Sequence, residues 1–320
     1  MESDLAHSYE IAQSGCVCID RNSVARIWST GEHRIDLVDR MSTNDLAGMV
    51  PGEGRPTVLL NVHARIVDYL LVLHLGDRAL MLASPGKGED VRRWLAGYVF
   101  FRDDVTFTDA SGALGQFGLY GLHAADTAAA LMPGAEALPL FHSLQADDAI
   151  LIRVPPLAGG AYELVAPRAD MDAWVARAEA AGAAPAPTAL YEILRVEAGL
   201  PGPGNEIAPE YIPLEVGLWD AVSFNSGCYL GQEIIARMES RGKLAKTLVG
   251  LRAASALAPG AQLRAADGSR GIVTSSVHSP RYGWLGLGVL KPAAAVPGAE
   301  VTVAHAGEIA PATIADLPFG

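Results

Sequence analysis

The chain has 320 residues, of which half are apolar and 19% are charged, and its formal net charge is −12. This length suits about two domains, and the apolar fraction excludes a largely disordered chain, which would need low hydrophobicity. The acidic balance, without a visible basic stripe, argues against direct binding of nucleic acid.

The N-terminal part of the chain predicts antiparallel strands with helices between them. Residues 15–19 and 25–28 read as two strands that predict a β-hairpin. Three apolar runs separated by short turns predict an antiparallel meander: 57–62, 65–75 and 79–83. Apolar residues at helical spacing follow in 89–101. The preceding residues, Gly86 to Gly88, are interpreted as a turn because they lack a complete phosphate-binding loop.

The rest of the chain predicts first a mixed region and then a β-domain. Strands are predicted at 104–108, 116–120, 149–154 and 162–166, and helices at 124–131, 170–181 and 189–198. From residue 244 onward, about six short β-runs at regular spacing predict a small barrel. We therefore predict an α+β fold, with a mixed region over 1–242 and a six-stranded barrel domain over 243–320.

The chain has three cysteines, at positions 16, 18 and 228, and such a small and odd number argues against a disulfide framework. The Cys16-Val17-Cys18 spacing is neither a redox motif nor half of a zinc site, so we expect two small core residues. The histidines are scattered, and we predict no metal site. No membrane span or secretory signal is visible in the sequence, so we expect a cytoplasmic protein without a membrane partner.

The most informative segment runs from Ser226 to Glu233, in the order Ser-Gly-Cys-Tyr-Leu-Gly-Gln-Glu. A helix is predicted directly after it, so Cys228 lies just before a helix N-terminus, where unpaired N–H groups favour an anion. A thiol in such a place tends to have a lowered pKa and becomes a better nucleophile or ligand. The alternative is a buried cysteine at the entry to a helix.

Three carboxylates interrupt apolar patterns and are candidate functional residues. Glu197 falls on a helical apolar stripe, where an ionised carboxylate needs a partner. Arg195 faces elsewhere on that helix, so a ligand, a distant arginine or a structural ion pair are the open alternatives. Asp68 lies in a strand that is otherwise Ile, Val and Leu, and Glu163 lies in a β-run. Either carboxylate could instead face solvent.

The segment Gly227 to Glu233 resembles the signature Lys-Gly-Cys-Tyr-x-Gly-Gln-Glu of the YgfZ-type folate-binding proteins. Those proteins support iron–sulfur enzymes and are relatives of the glycine cleavage T-protein, an aminomethyltransferase. Weaker similarities follow in the expected order, including 42–45, 195–199 and 213–215, so the resemblance covers nearly the whole chain. It implies a T-protein-like three-domain ring around a central hole of folate size, with two mixed α+β domains and the small C-terminal six-stranded barrel.

The resemblance also implies a cofactor and a set of site residues. The cofactor is tetrahydrofolate or a one-carbon derivative of it, and Glu163 is similar to the carboxylate that binds the pterin. The implied cofactor-binding set is Glu163, Arg195, Glu197, Asn61 and Tyr229. The implied catalytic residues are Cys228 and Asp68. Two departures from the family patterns are the serine at position 226, where the YgfZ-type proteins have lysine, and Asp68-Tyr69, where T-proteins have two aspartates.

Three functional hypotheses follow. The main one is a folate-binding accessory protein for the assembly, maintenance or repair of iron–sulfur clusters, with iron–sulfur enzymes or cluster-assembly proteins as partners. The alternative is a folate-dependent aminomethyltransferase or demethylase that works through Asp68. The third is a folate-binding scaffold without catalysis, in which Cys228 is structural.

Overall fold

The computed structural model describes residues 2–225, 229–241 and 244–320. The chain folds into two compact units, each assembled from separate stretches. The first unit contains Met1–Leu60, Asp68–Leu190 and Asp220–Leu230, and the second contains Asn61–Val67, Tyr191–Trp219 and Gly231–Gly320. Among the described residues, no helix is long and apolar enough to cross a bilayer.

Both units combine helices with mostly antiparallel strands. The α-helices among the described residues are α1 (Glu2–Ser14), α2 (Asp36–Met41), α3 (Gly88–Ala96), α4 (Ala124–Leu131), α5 (Met171–Ala180), α6 (Ala189–Glu197) and α7 (Gln232–Arg241). The first strands are β1 (Cys16–Asp20), β2 (Ala25–Thr30), β3 (Gly54–Leu60), β4 (Ile66–His74), β5 (Arg78–Ala83), β6 (Thr106–Asp109) and β7 (Leu114–Tyr120). The next are β8 (Ser143–Ala146), β9 (Ala149–Arg153), β10 (Ala161–Pro167) and β11 (Ala183–Ala186). The last six are β12 (Thr247–Ala253), β13 (Gln262–Ala265), β14 (Arg270–Ser279), β15 (Gly283–Leu290), β16 (Glu300–His305) and β17 (Glu308–Ala315).

The first unit contains two sheets that share one core. The strand orders are β11-β1-β7-β10-β9-β8 and β3-β4-β5-β2-β6, and β1 pairs in parallel with β11. The shared core contains Leu71 and Leu80 from the second sheet and Ile152 and Val165 from the first. Because successive side chains of a strand point to opposite faces, the other face of each sheet is free to pack on helices.

Helices cover the outer face of each sheet. Leu164 of the first sheet shares a core with Trp174 of α5, and Val72 of the second sheet shares one with Leu95 of α3. Strands that are buried on both faces read as continuous apolar runs rather than as alternating ones. This explains why the meander of β3, β4 and β5 was visible in the sequence, and the structure confirms that these three strands are neighbours.

The predicted hairpin between residues 15–19 and 25–28 is wrong. The strand β1 pairs with β7 and β11, whereas β2 pairs with β5 and β6 in the other sheet. Two hydrogen bonds fix the connection between β1 and β2. Asp20 Oδ1 accepts from the Asn22 amide at 2.7 Å, and the Arg21 amide donates to the Gln116 carbonyl at 3.0 Å. The chain therefore crosses from one sheet to the other instead of folding back.

The helix α3 is shorter than the sequence predicts, whereas the turn before it agrees with the prediction. The helix ends at Ala96 rather than near 101, and Phe100 and Phe101 are exposed. The Gly86 to Gly88 turn leads into the helix, and a Cβ atom on Gly88 would lie 2.5 Å from Asp109 Oδ2. The Asp109 carboxylate thus lies against Gly88 at the start of the helix, where a side chain larger than that of glycine would overlap it.

The barrel in the second unit is closed and six-stranded, as predicted. Its strand order is β12-β15-β14-β13-β16-β17, with antiparallel pairs throughout. Leu251, Leu263, Val301 and Ile314 are among the side chains that fill its core. Closure removes the edge strands that would otherwise expose unpaired backbone groups. The predicted boundary at 242/243 lies outside the described residues and stays a prediction.

Candidate functional site

Glu163 lies at the centre of a buried polar cluster in the first unit. In the β7–β10 pair it stands opposite Gly118, so it shares a face of the sheet with Gln116 and Tyr120. The Gln116 side-chain amide donates to Glu163 Oε2, and the Tyr120 hydroxyl donates to Glu163 Oε1 at 2.8 Å. Gln116 and Tyr120 are fully buried and Glu163 is 6% exposed. The carboxylate that is predicted to bind the pterin therefore lies on β10 and is held by two side chains of β7.

Gly118 makes this arrangement possible. A Cβ atom built on Gly118 would overlap the hydroxyl and ring atoms of Tyr120, because the phenol lies across the glycine. The empty space of a missing side chain thus lets Tyr120 turn back over its own strand and reach Glu163. Glycine weakens a strand unless another group occupies the space that it leaves, and here Tyr120 occupies it.

Two arginines complete the cluster, one from the connection between the sheets and one from the start of β2. Arg26 is fully buried and its Nη1 donates to Gln116 Oε1 at 3.2 Å, while Arg21 Nε lies 3.4 Å from Glu163 Oε1. Burial lowers the pKa of Arg26, although a guanidinium stays protonated. Because a guanidinium can only donate, it turns the Gln116 oxygen toward itself and the Gln116 nitrogen toward Glu163. Glu163 therefore acts as an acceptor, and it suits a ligand that presents N–H groups.

Asp68 forms a separate buried site near the start of β4. It is 2% exposed, its Oδ1 accepts from the Tyr69 amide at 2.9 Å and from the Ser84 hydroxyl, and its Oδ2 accepts from the Ser84 amide at 3.3 Å. Burial raises the pKa of Asp68, and the bonds from Ser84 and Tyr69 and the charge of Lys87 oppose that rise. A carboxylate in such surroundings is suited to accept a proton or to hold a cationic amine. Asp68 and Glu163 share no hydrogen bond among the described residues.

Arg195 belongs to a buried ion-pair network in the second unit. Its Nη1 donates to the Leu200 carbonyl at 2.9 Å and to Glu206 Oε2 at 3.4 Å, and its Nη2 donates to Ser275 Oγ at 3.0 Å. Its Nε and Nη2 also donate to Glu192 Oε2. All five N–H groups are used in this way. A ligand of Arg195 would therefore have to displace one of these partners.

Glu197 and Asn61 are also in the second unit. Glu197 ends α6, is half-buried, and accepts at its backbone carbonyl from the Phe319 amide at 2.8 Å. Asn61 closes the turn between β3 and β4, because its Oδ1 accepts from the amides of His63 at 2.9 Å and Arg65 at 3.1 Å. These contacts make Asn61 a turn residue, and its predicted role toward a cofactor stays a prediction.

The cysteine motif is only partly described. Ser226, Gly227 and Cys228 lie outside the described residues, so the functional role of Cys228 stays a prediction. Tyr229 is 7% exposed, and burial raises its pKa to about 12. Gly231 has a φ of 80°, and a Cβ atom there would lie 2.7 Å from Ala64 Cα. The positive φ and the close approach of Ala64 therefore both require glycine at position 231 of the motif.

Family models match nearly the whole chain. One described as the GCVT N-terminal domain matches residues 1–226, and one described as the glycine cleavage T-protein C-terminal barrel domain matches residues 246–319. The chain belongs to the glycine cleavage T-protein family. The YgfZ-type branch is not distinguished by these matches.

Individual relatives align along most of this chain. A protein of Arabidopsis thaliana, named as a candidate chloroplastic transferase, is 28% identical over 96% of this chain and 72% of its own length. An aminomethyltransferase of Herpetosiphon aurantiacus is 27% identical over 97% of this chain and 88% of its own length. The crystal structure of glycine cleavage system aminomethyltransferase T from Bartonella henselae superposes with a TM-score of 0.88 at 22% identity, covering 99% of this chain and 89% of that one. This last similarity shows the T-protein fold.

Sequence reasoning missed the partners of both carboxylates. Gln116 and Tyr120 interrupt the apolar strand β7 at alternate positions on either side of Gly118, and that alternation was the available signal. Ser84 carries no comparable signal, because a serine that ends a strand before proline and glycine reads as a turn residue.

Proposed function

We propose that this member of the T-protein family binds tetrahydrofolate or a one-carbon derivative and transfers an aminomethyl-type one-carbon unit. The observation that carries the proposal is Glu163, a buried acceptor carboxylate fixed by Gln116 and Tyr120. A pterin presents adjacent N–H and amino groups, which are the donors that such a carboxylate selects. Relatives named aminomethyltransferase align along most of this chain and support the same activity.

The two carboxylates have different tasks in this proposal. Folate, when bound, carries the one-carbon unit. Glu163 accepts hydrogen bonds from the pterin and orients it, and the buried donors around Glu163 keep its carboxylate in one place. Asp68 accepts a proton from the reacting amine or holds that amine as a cation, because burial raises its pKa while one lone pair of Oδ2 stays free of bonds from Ser84 and Tyr69.

Anaerobic calorimetric titration with tetrahydrofolate tests the proposal. Glu163→Gln should weaken binding at least tenfold, about 1.4 kcal/mol, because an amide cannot accept at both oxygen positions. Glu215→Gln is the matched control, since Glu215 is also a buried carboxylate, 4% exposed, and accepts from the Ile212 amide. Equal affinity of wild type and Glu163→Gln, or no binding by the wild type, would refute the folate site.

A second function is favoured by the motif Gly227 to Glu233. We propose as the alternative that the protein supports the assembly, maintenance or repair of iron–sulfur clusters through Cys228, with iron–sulfur enzymes or cluster-assembly proteins as partners. Cells lacking the protein should then lose iron–sulfur enzyme activity, and Cys228→Ala should fail to restore it while Cys18→Ala restores it. Full restoration by Cys228→Ala would refute the alternative. Turnover of an aminomethyl donor, lost in Asp68→Asn, would favour transfer chemistry instead.

A further inference from the structure

We propose that Ser84 is the positioning residue of Asp68 and fixes its carboxylate from two sides. The hydroxyl of Ser84 donates to Asp68 Oδ1 and its amide donates to Oδ2 at 3.3 Å, so one residue holds both oxygens. The catalytic consequence rests on the proposed transfer function, in which Asp68 handles the proton or the cationic amine. The positioning itself rests on the geometry alone.

Ser84 is well placed because it follows β5, the strand that pairs with β4. The pairing of Leu71 with Leu82 and of Val72 with Met81 brings the end of β5 beside the start of β4, where Asp68 lies. With the Tyr69 amide as third donor, the carboxylate has little freedom to rotate. A buried carboxylate is costly unless it is hydrogen-bonded, so these donors stabilise its charged form.

The turn that carries Ser84 is held independently of Asp68. The Lys87 amide donates to the Ser84 carbonyl at 3.0 Å, and the Gly86 amide donates to the Ser23 carbonyl at 3.1 Å. Removing the Ser84 hydroxyl therefore leaves the turn and the Ser84 amide in place. The substitution Ser84→Ala should change the environment of Asp68 rather than the fold of the turn.

The charged groups near Asp68 set the direction of the expected effect. Burial raises the pKa of Asp68, and the hydrogen bond from the Ser84 hydroxyl opposes that rise most strongly. Lys87 is the one charged group among the described residues that also lowers the pKa of Asp68. Loss of the hydroxyl should therefore raise the pKa further, because the ionised form loses a donor. Lys87→Gln should raise it in the same direction.

Carbon-13 NMR of the full chain, labelled at the aspartate carboxyl groups, measures this directly. The resonance of Asp68 is assigned by its loss in Asp68→Asn. Ser84→Ala should move its titration midpoint upward by about half a unit to one unit, a threefold to tenfold change in proton affinity. Ser84→Thr keeps the hydroxyl and should titrate as the wild type does. Ser269→Ala is the matched control, because it removes a serine hydroxyl that donates to a different carboxylate, Asp267 in the barrel. It should leave the titration midpoint of Asp68 unchanged.

The same variants separate this inference from the proposed function. If the midpoint moves in Ser84→Ala but the wild type turns over no aminomethyl donor, the transfer function fails and the positioning stands. If the wild type turns over and Ser84→Ala leaves the midpoint unchanged, or Ser84→Thr moves it equally, the positioning is refuted. With turnover, the acid limb of the rate–pH profile should move upward with the midpoint. Ser84→Cys, similar in size and a weak donor, replaces Ser84→Ala if alanine prevents folding, and the same movement is expected.

Discussion

Replacing Gly118 with alanine should destabilise the first unit far more than an ordinary glycine substitution. The new methyl group would overlap the hydroxyl and ring of Tyr120, which cannot move without leaving Glu163 Oε1, 2.8 Å away. Overpacking of a well-filled core costs about 1–3 kcal/mol, and loss of a hydrogen bond to a charged group costs about 1.5–3 kcal/mol. We expect the free energy of unfolding to fall by about 3–5 kcal/mol.

Urea denaturation followed by tryptophan fluorescence measures this difference. Gly112→Ala is the matched control, because Gly112 precedes the same strand and a Cβ atom there meets nothing within 4 Å. Its effect should stay within about 1 kcal/mol of wild type. In a Tyr120→Ala background the cost of Gly118→Ala should nearly vanish, because the overlapping ring is gone. A fall of less than about 1 kcal/mol for Gly118→Ala alone would refute the argument, as would full additivity in the double variant.

Three further predictions concern buried groups. Burial raises the pKa of Cys16, and it raises the pKa of Cys18 to about 12. At about pH 8 roughly one Cys18 in ten thousand is therefore a thiolate. Peptide mass spectrometry should find both cysteines unalkylated by iodoacetamide in the native protein and alkylated in urea. Arg195→Met leaves the fully buried Glu206 without its cation and should cost about 3–5 kcal/mol in urea denaturation; a cost below about 1 kcal/mol would contradict a buried pair. Burial raises the pKa of Asp68 above its ordinary 3.8, so the carboxyl group ionises at a lower pH in the unfolded chain than in the folded one. Between those two pKa values the wild type should lose stability relative to Asp68→Asn as pH rises. Urea midpoints of both proteins at about pH 4 and about pH 7 check this sign, and the same difference between wild type and variant at both pH values would contradict it.

The barrel and the meander could be predicted because their information is local. Alternating or continuous apolar runs report burial on one or both faces of a strand, and turn residues report where each strand ends. The mistaken hairpin at 15–28 arose from the same reasoning. Two strands joined by a short turn usually pair, but here the hydrogen bond of Arg21 to Gln116, from a strand much later in the chain, diverts the connection.

The candidate site could be predicted only in part for a related reason. Glu163 and Asp68 stand out because each is a charge in an apolar run. Their partners come from other strands: Gln116 lies 47 residues before Glu163, and Ser84 lies 16 residues after Asp68. Pairing register decides which side chains meet across strands, and a single sequence does not reveal register for distant strands. The folate assignment therefore came from resemblance rather than from the residues.

The network around Arg195 has a consequence for the order in which the second unit can mature. Ser275, which accepts from Arg195, lies 80 residues further along the chain, and Phe319 donates to the Glu197 carbonyl. At about 5–20 residues per second, a ribosome delivers Ser275 roughly 4 to 16 s after Arg195. During that interval Arg195 stays hydrated or engages only its local partners Glu192 and Glu206. The hydrogen bonds of α6 are therefore completed only by residues synthesised long after it, and until then the second unit carries an unfinished network, the kind of state that chaperones and proteases act on.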